Sequence, residues 1–535
     1  MDFQAETALR RGINPARTPW LSTWLRAGLG ALGALMLGLS DPATAETAEN
    51  DTPLSSSLEF DRPLVLKGDK TPVYAVIRLN AAEPVRATER PPLNVALVLD
   101  RSGSMEEAGK IDYLKRAALQ LVDRLGPRDV LSVVEYDDEI TVMWPAHTLD
   151  SPLAVKPLIA ALSPRGSTDL AGGMMAGAHQ AARALENGLV PKGAVTRVLL
   201  MSDGLANVGV TKPDKIKALV RDAKAAGTPI TTLGLGRDYD EDLMQMIAEA
   251  GGGRYYYIEN PAQMARIFAL ELDSLARTVV KDAVLEIDVP GAEILGFDGT
   301  KAALGDLYGG ENRALLVRLP VDTQSMGAKT LGSLKLTFLD AATQKIHNFE
   351  ELLGVEVVND AAKVAASANQ DAAVEAALAE TERGQAEAVK LFEAGDQAGA
   401  DQRMNALIAT VKERQAVLHD TRLDKKIEAL SVERGDMQAA TLAPGESSAY
   451  LKRSKQRLYQ AKQGNRALSV LQAGDNGYEV EQLQTALTKA GYYSGPIDGQ
   501  FSASLEAAVK AYQQDQNLGA DGVAGPATMK ELGLY

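Results

Sequence analysis

The sequence predicts a multi-domain chain: a doubly wound α/β domain, a flanking β-sandwich, a helical hairpin and a C-terminal three-helix domain. Three observations predict it. The 535 residues exceed what one hydrophobic core serves, at roughly 100–200 residues per domain. Between residue 93 and about residue 275, apolar strand-like runs alternate with helical periodicity, the mark of a mainly parallel sheet covered by helices. After residue 279 short β-like runs return, and from 361 onward the chain turns rich in Ala, Glu, Gln and Lys before closing on short amphipathic helices.

Composition narrows the function. With 45% hydrophobic and 24% charged residues the chain has the make-up of ordinary globular protein. A formal charge of −15 argues against a nucleic-acid partner, because phosphate binding needs clustered Lys and Arg. The chain has no cysteine, which excludes disulfides, zinc–thiolate sites, thiol nucleophiles and lipid attachment through an N-terminal cysteine.

At the N-terminus, an apolar run over 27–40 follows Arg26, and Ala43-Thr44-Ala45 supplies small residues at the spacing of a signal-peptidase site. Residues 1–45 are therefore read as a secretory signal cleaved after Ala45. The run covers about two-thirds of the roughly 20 residues a membrane span needs, so no stable span is expected once it is removed. Gly28-x-Gly30-x-x-Gly33 has dinucleotide-loop spacing but no strand–turn–helix context. A polar leader over 46–57 precedes strand-like runs at 58–66 and 73–79, split by Gly68-Asp69-Lys70. Isolated hairpins are marginal in water, so the strands within 46–92 are expected to join those of 279–360 in one sandwich, with the α/β domain, 93–278, inserted between.

Within that domain, 94–99 is a continuous apolar run, as for a strand buried on both faces. Ile111, Leu114, Ala118, Leu121, Val122 and Leu125 then repeat at helical spacing until Gly126-Pro127. Runs 130–136 and 139–144 flank Asp137-Asp138 as a hairpin, and further strands follow at 198–201, 230–235 and 255–258. In the sandwich, strands are expected at 283–289, 314–319 and 333–338. The helical region and linker, 361–470, holds the hairpin: Gly395-Asp396 marks its turn, and Met404, Leu407, Ile408 and Val411 mark one helix. Residues 443–448 read as a linker. A short basic helix with Lys452, Arg453, Lys455, Arg457 and Lys462 follows, read as a solvated face, with a membrane or an anionic wall polymer as its other possible contact.

The most specific chemistry stands where the first buried strand ends, at Asp100-Arg101-Ser102-Gly103-Ser104. Alternating Asp100, Ser102 and Ser104 lets one carboxylate and two hydroxyls converge, and such hard oxygen donors suit Mg²⁺. Alone, such a turn is also a capped helix start. Gly166-Ser167-Thr168-Asp169 opens a later helix, and Ser202-Asp203-Gly204 ends another apolar strand. Three loops thus offer oxygen ligands at one sheet edge, where open α/β folds bind ligands. In these motifs residues 93–275 resemble the von Willebrand factor type A family, whose metal-ion-dependent adhesion site joins DxSxS to a loop Thr and a distant Asp. The resemblance implies a Mg²⁺ or Mn²⁺ ion contacted directly by Ser102, Ser104 and Thr168. Asp100 and Asp203 would act through water or by orienting hydroxyls, and the carboxylate of a partner's Asp or Glu would complete the coordination.

The final domain, 471–535, has helical faces formed by Val480, Leu483 and Leu487, then by Leu505, Ala508, Val509 and Tyr512, with Gly525-Pro526 starting a third helix. Asp498-Gly499 and Asp521-Gly522 are structural turns in matching positions. With Gly491-Tyr492-Tyr493, Phe501, Gln513 and Gly525-Pro526-Ala527-Thr528, this spacing resembles the three-helix peptidoglycan-binding domain. Tyr512 stands where that family often has Phe. The likeness implies a peptidoglycan partner and residence in the periplasm or at the cell surface, associated with the wall.

No motif indicates catalysis. His147, His179, His347 and His419 are scattered without metal-ligand spacing, there is no G-x-S-x-G elbow, and Gly188-x₄-Gly193 is followed by Ala194 where a phosphate loop needs lysine. The expectation is a non-enzymatic binding or scaffold protein. The alternatives are a chaperone-like adaptor of an envelope complex and a peptidoglycan hydrolase without a recognisable motif.

Overall fold

The computed structural model describes residues 52–82 and 91–463 apart from positions 192, 260, 262, 263 and 443, together with 471, 473, 478–516, 518–532 and 534. The expected signal segment and its cleavage point lie outside these residues. Strands β1 (Leu54–Phe60), β2 (Leu64–Leu66) and β3 (Val73–Ala81) lead into the α/β domain. Its sheet holds β4 (Leu93–Asp100), β5 (Val130–Tyr136), β6 (Ile140–Thr148), β7 (Val195–Ser202), β8 (Ile230–Leu235) and β9 (Tyr255–Ile258), in the spatial order β6-β5-β4-β7-β8-β9. Neighbours run parallel except in the β5–β6 hairpin.

Helices α1 (Lys110–Arg124), α2 (Pro152–Ala160), α3 (Leu170–Glu186), α4 (Pro213–Ala225), α5 (Glu241–Gly251) and α6 (Met264–Ala276) cover both faces. Every residue of β4 is buried. Its Val95, Leu97 and Leu99 pack with Leu114, Leu121 and Phe268; Ala96 and Val98 pack with Met174, Ala178 and Ile216 on the other side. Burial on both faces is why the strand reads as an unbroken apolar run. Because the strand order reverses on either side of β4, a crevice opens at the carboxyl ends of β4 and β7, the switch point at which such sheets bind ligands.

The chain then passes into β10 (Thr278–Asp288), β11 (Glu293–Ile294), β12 (Lys301–Tyr308), β13 (Asn312–Leu319), β14 (Gly327–Asp340) and β15 (Ile346–Val358). One sheet has the order β1-β3-β13-β11 and the other β12-β10-β14-β15-β2. β3 pairs antiparallel with β13 from Val73↔Leu319 to Asn80↔Asn312, and β2 runs parallel to β15. Val65, Ala75, Ile77 and Leu79 share a core with Leu285, Val317, Leu336 and Phe338. The α/β domain is thus an excursion between β3 and β10. The two domains are also joined by buried charge: Arg197 of β7, with no exposed surface, donates to Asp306 Oδ2 of β12 at 2.7 Å, and Arg254 lies 4.1 Å over the Tyr308 ring.

The helical region holds more than the expected hairpin. After α7 (Ala361–Ser367), α8 (Gln370–Glu393) and α9 (Gln397–Leu418) form it, with Asp396 accepting from Gly399 N at 2.9 Å as the cap. Two helices continue: α10 (Thr421–Leu442) and α11 (Pro444–Lys462). The segment 443–448 was expected to be a linker; instead α11 begins at Pro444, where proline's missing N–H has no intrahelical partner to lose. The basic run on α11 was expected to be a solvated face. It faces the α/β domain instead, pairing with acidic side chains of α5 and of the loop after β9.

The C-terminal domain consists of α12 (Tyr478–Lys489), α13 (Ala503–Asp515) and α14 (Pro526–Glu531) around Val480, Leu483, Leu505, Val509 and Met529. Its two Asp-Gly turns are held alike. Gln484 donates to Asp498 Oδ1 at 2.9 Å and accepts from Gly499 N at 3.0 Å; Gln513 donates to Asp521 Oδ1 at 2.9 Å and accepts from Gly522 N at 2.9 Å. The expected structural role of those turns rests on these two buried glutamines.

Candidate metal centre

β4 delivers Asp100 to the crevice and β7 delivers Ser202-Asp203; Ser102 and Ser104 follow β4, and Thr168 precedes α3. Asp100, Ser202 and Asp203 have no exposed surface, and Ser102 and Thr168 are buried. Asp100 Oδ1 accepts from Ser102 N at 2.8 Å, which folds the loop back over its own carboxylate. Its Oδ2 accepts from Ser202 Oγ at 2.9 Å and from Tyr136 OH at 3.2 Å. Ser104 Oγ lies 3.2 Å from Ser102 Oγ and donates to Asp203 Oδ1 at 2.7 Å.

Thr168 belongs to the same cluster. A methyl placed on Gly204 would lie 3.4 Å from both Ser104 Oγ and Thr168 Oγ1, so the hydroxyls of the first and second loops meet beside the third. Asn207 Oδ1 accepts from Thr168 N at 2.8 Å and fixes its backbone. Gly166 turns this loop with φ of +70°, and a Cβ there would strike Asp138 Oδ1; only glycine combines that conformation with that approach.

Asp137, fully buried at the end of β5, braces two of the loops. It pairs with Arg101 at 2.9 Å and accepts from Arg165 Nε at 2.6 Å. Burial pushes its carboxyl up, but the Arg165 hydrogen bond and the two guanidinium charges outweigh this and hold it below the ordinary range.

The structure therefore brings together all five residues expected from the sequence: Asp100, Ser102, Ser104, Thr168 and Asp203. Sequence reasoning missed Lys110, Tyr136 and Asn207. Lys110 Nζ donates to Asp203 Oδ2 at 2.8 Å from a nearly closed position, 5% exposed. It sits on α1 outside the motif spacing, and nothing in the local pattern marks it.

The donor set fits a hard divalent ion. Two carboxylates and three hydroxyls supply oxygen alone. Burial, and then repulsion from Asp203, pushes the Asp100 carboxyl up to about 6, the mark of buried negative charge that a cation would relieve. Among the described residues, no group of three or more His, Asp or Glu side chains is arranged to hold a metal. The cluster is built mainly from neutral hydroxyls, which leave a bound ion electrophilic.

Residues 94–270 match the von Willebrand factor type A domain, and residues 476–532 match the peptidoglycan binding domain. The chain is a multi-domain protein carrying both. A von Willebrand factor type A structure from Catenulispora acidiphila superposes with a TM-score of 0.54 at 19% identity, covering 71% of this chain and 90% of that one, a likeness of fold. Among curated proteins, the uncharacterized protein YfbK of Escherichia coli strain K12 is 26% identical over 45% of this chain and 44% of its own length. The uncharacterized protein sll0103 of Synechocystis is 28% identical over 48% of this chain and 63% of its own. The chain thus spans less than two-thirds of these relatives.

Proposed function

We propose that this is an exported, wall-associated binding or scaffold protein. It holds Mg²⁺ or Mn²⁺ with Asp100, Ser102, Ser104, Thr168 and Asp203 and completes the ion's coordination with an Asp or Glu carboxylate of a protein partner. The carrying observation is the convergence of these five oxygen-bearing side chains from three loops at the switch point between β4 and β7. Peptidoglycan binding by 476–532 would keep that surface at the wall. Mg²⁺ keeps several waters and takes few protein carboxylates, so ion and partner should strengthen each other's binding reciprocally.

The test is capture of partners from an envelope extract by wild type, Asp100→Ala and Thr168→Ala, with and without chelator, alongside circular dichroism to establish folding. Wild type should capture in Mg²⁺ alone and both variants should fail. Equal capture by folded wild type and Asp100→Ala would remove the metal edge from recognition. Clearing of peptidoglycan in a zymogram would replace the binding reading with a hydrolase.

A further inference from the structure

Beside the five oxygen-bearing side chains stands a cation that they do not account for. After Ser104 the chain doubles back through residues 105–109, with Gly109 in the left-handed region at φ +66°, and α1 opens on Lys110. This returns Lys110 Nζ to 2.8 Å from Asp203 Oδ2 and 3.5 Å from the Ser104 carbonyl. Gly236, after β8, closes the other side. Its φ is +76°, and a Cβ there would stand 3.4 Å from Lys110 Cε and 3.6 Å from Nζ. The ammonium is thus packed into the centre, with Asp203 as its carboxylate.

The other cations near the loops are engaged elsewhere. Arg101 pairs with Glu135 and Asp137, and Arg165 with Asp137 and Glu139. Among the described residues, Lys110 is the one cation paired with Asp100 or Asp203. The outer charges, Asp138 and Asp169 included, act on the centre with or without this ammonium, so the sign of its own effect follows from Coulomb's law. It opposes a second cation beside Asp203 and favours an anion.

We infer that Lys110 makes ion binding and partner binding interdependent; the inference rests on the metal reading proposed above. An ammonium has no lone pair, so Lys110 is not an ion ligand. It occupies Asp203 Oδ2, which weakens the hold of the empty-handed centre on a divalent ion. Once an ion is bound, the same fixed charge adds to the attraction for an outside carboxylate. Lys110 is thereby the residue that sets how strongly ion and carboxylate reinforce each other.

The experiment follows Mn²⁺ binding to the full chain by paramagnetic resonance, with N-acetylaspartate amide as a monocarboxylate probe and N-acetylasparagine amide as its neutral control. Mn²⁺ taken up by the probe alone is measured in buffer and subtracted. Wild type should bind Mn²⁺ more tightly in the presence of the carboxylate probe than of its control. Lys110→Met, which keeps the apolar stem, should bind Mn²⁺ about tenfold more tightly than wild type and lose most of the gain from the probe. Lys110→Gln, whose amide can still donate to Asp203, should do the same and serves if the methionine variant does not fold. A merely structural role for Lys110 predicts the reverse, since a disturbed centre binds more weakly. Mn²⁺ affinity that depends on Asp100, by comparison with Asp100→Ala, but is unchanged or lowered in the folded Lys110 variants overturns this inference alone. Mn²⁺ affinity equal in wild type and folded Asp100→Ala overturns the metal reading and this inference with it.

Discussion

Lys452 extends from α11 to place its ammonium 2.5 Å from Glu241 Oε2 and 2.7 Å from the Tyr239 carbonyl, and 4.1 Å over the Tyr239 ring. It is 2% exposed. Around it, Gln456 Oε1 accepts from Tyr257 N at 2.8 Å, so a helix side chain caps an amide of the edge strand β9. Removing one partner of a buried pair strands the other, at a cost of about 3–5 kcal/mol, whereas an exposed pair contributes about 0–1 kcal/mol. Lys452→Met should therefore destabilise the chain by about 3 kcal/mol and open 444–462 to protease. Arg453→Ala, which breaks an exposed pair with Glu259, should cost under about 1 kcal/mol. Equal midpoints for the two variants in urea would contradict this.

The same contact responds to acid. Burial pushes Glu241 up, but the hydrogen bond and charge of Lys452 outweigh it and hold the carboxyl below its ordinary 4.5. Glu311 is likewise buried and is held low by the charges of Arg313 and Arg254. A carboxylate depressed on folding contributes stability above its unfolded value and loses it as pH falls through the lower folded one. As pH falls from about 7 to 5, melting temperature should rise slightly, because the folded chain protonates Asp100, whose value is raised to about 6; below about pH 5 it should fall as the depressed carboxylates are protonated. Lys452→Met should lose less in the acid range than wild type, as followed by thermal melts.

At the candidate metal centre, Lys110 is the internal counter-charge of Asp203. Lys110→Met should destabilise the metal-free chain by about 3 kcal/mol. Added Mg²⁺ supplies the missing positive charge and should raise the variant's melting temperature more than that of wild type. Identical Mg²⁺-induced shifts would show that ion and ammonium do not act on the same carboxylate.

A glycine pair separates packing from helix propensity. A Cβ on Gly173 would lie 2.5–2.9 Å from atoms of Tyr136, whose hydroxyl donates to Asp100. Gly435, on α10, has open space around it. Gly435→Ala should stabilise by about 0.5–1 kcal/mol. Gly173→Ala should destabilise by about 1–3 kcal/mol and weaken Mn²⁺ binding measured by paramagnetic resonance. A Gly173→Ala protein that gains stability would place Tyr136 elsewhere.

In the C-terminal domain, Gln513→Ala leaves the buried Gly522 N–H without its acceptor. A buried group so stranded costs about 1–3 kcal/mol. The variant should lose the near-ultraviolet signal of Tyr492 and Tyr512, which stack edge to face at 5.1 Å, and co-sediment less with sacculi than wild type. Sedimentation unchanged despite that spectral loss would separate wall binding from the Gln513-held turn.

The sequence by itself determined five oxygen-bearing candidates for the site and the local fold of most segments. Asp100, Ser102 and Ser104 follow a strand whose unbroken apolar run announces burial on both faces. Asp498-Gly499 and Asp521-Gly522 announce turns, and the unpartnered runs at 58–66 and 73–79 announce a missing partner. Such signals are local, because side-chain period and turn chemistry are set by a residue's immediate neighbours.

Only the tertiary structure decided which segments meet. It chose β13 as the partner of β3, it turned the basic face of α11 onto Glu241, Asp242 and Glu249, and it set Lys110 and Tyr136 against the two site carboxylates. Charge patterning records that a helix is basic, but the same five cations suit water, a polyanion or an acidic neighbour equally well. The choice rests on which acidic groups the packed domains bring within hydrogen-bond reach, and that follows from long-range packing, which no local pattern encodes.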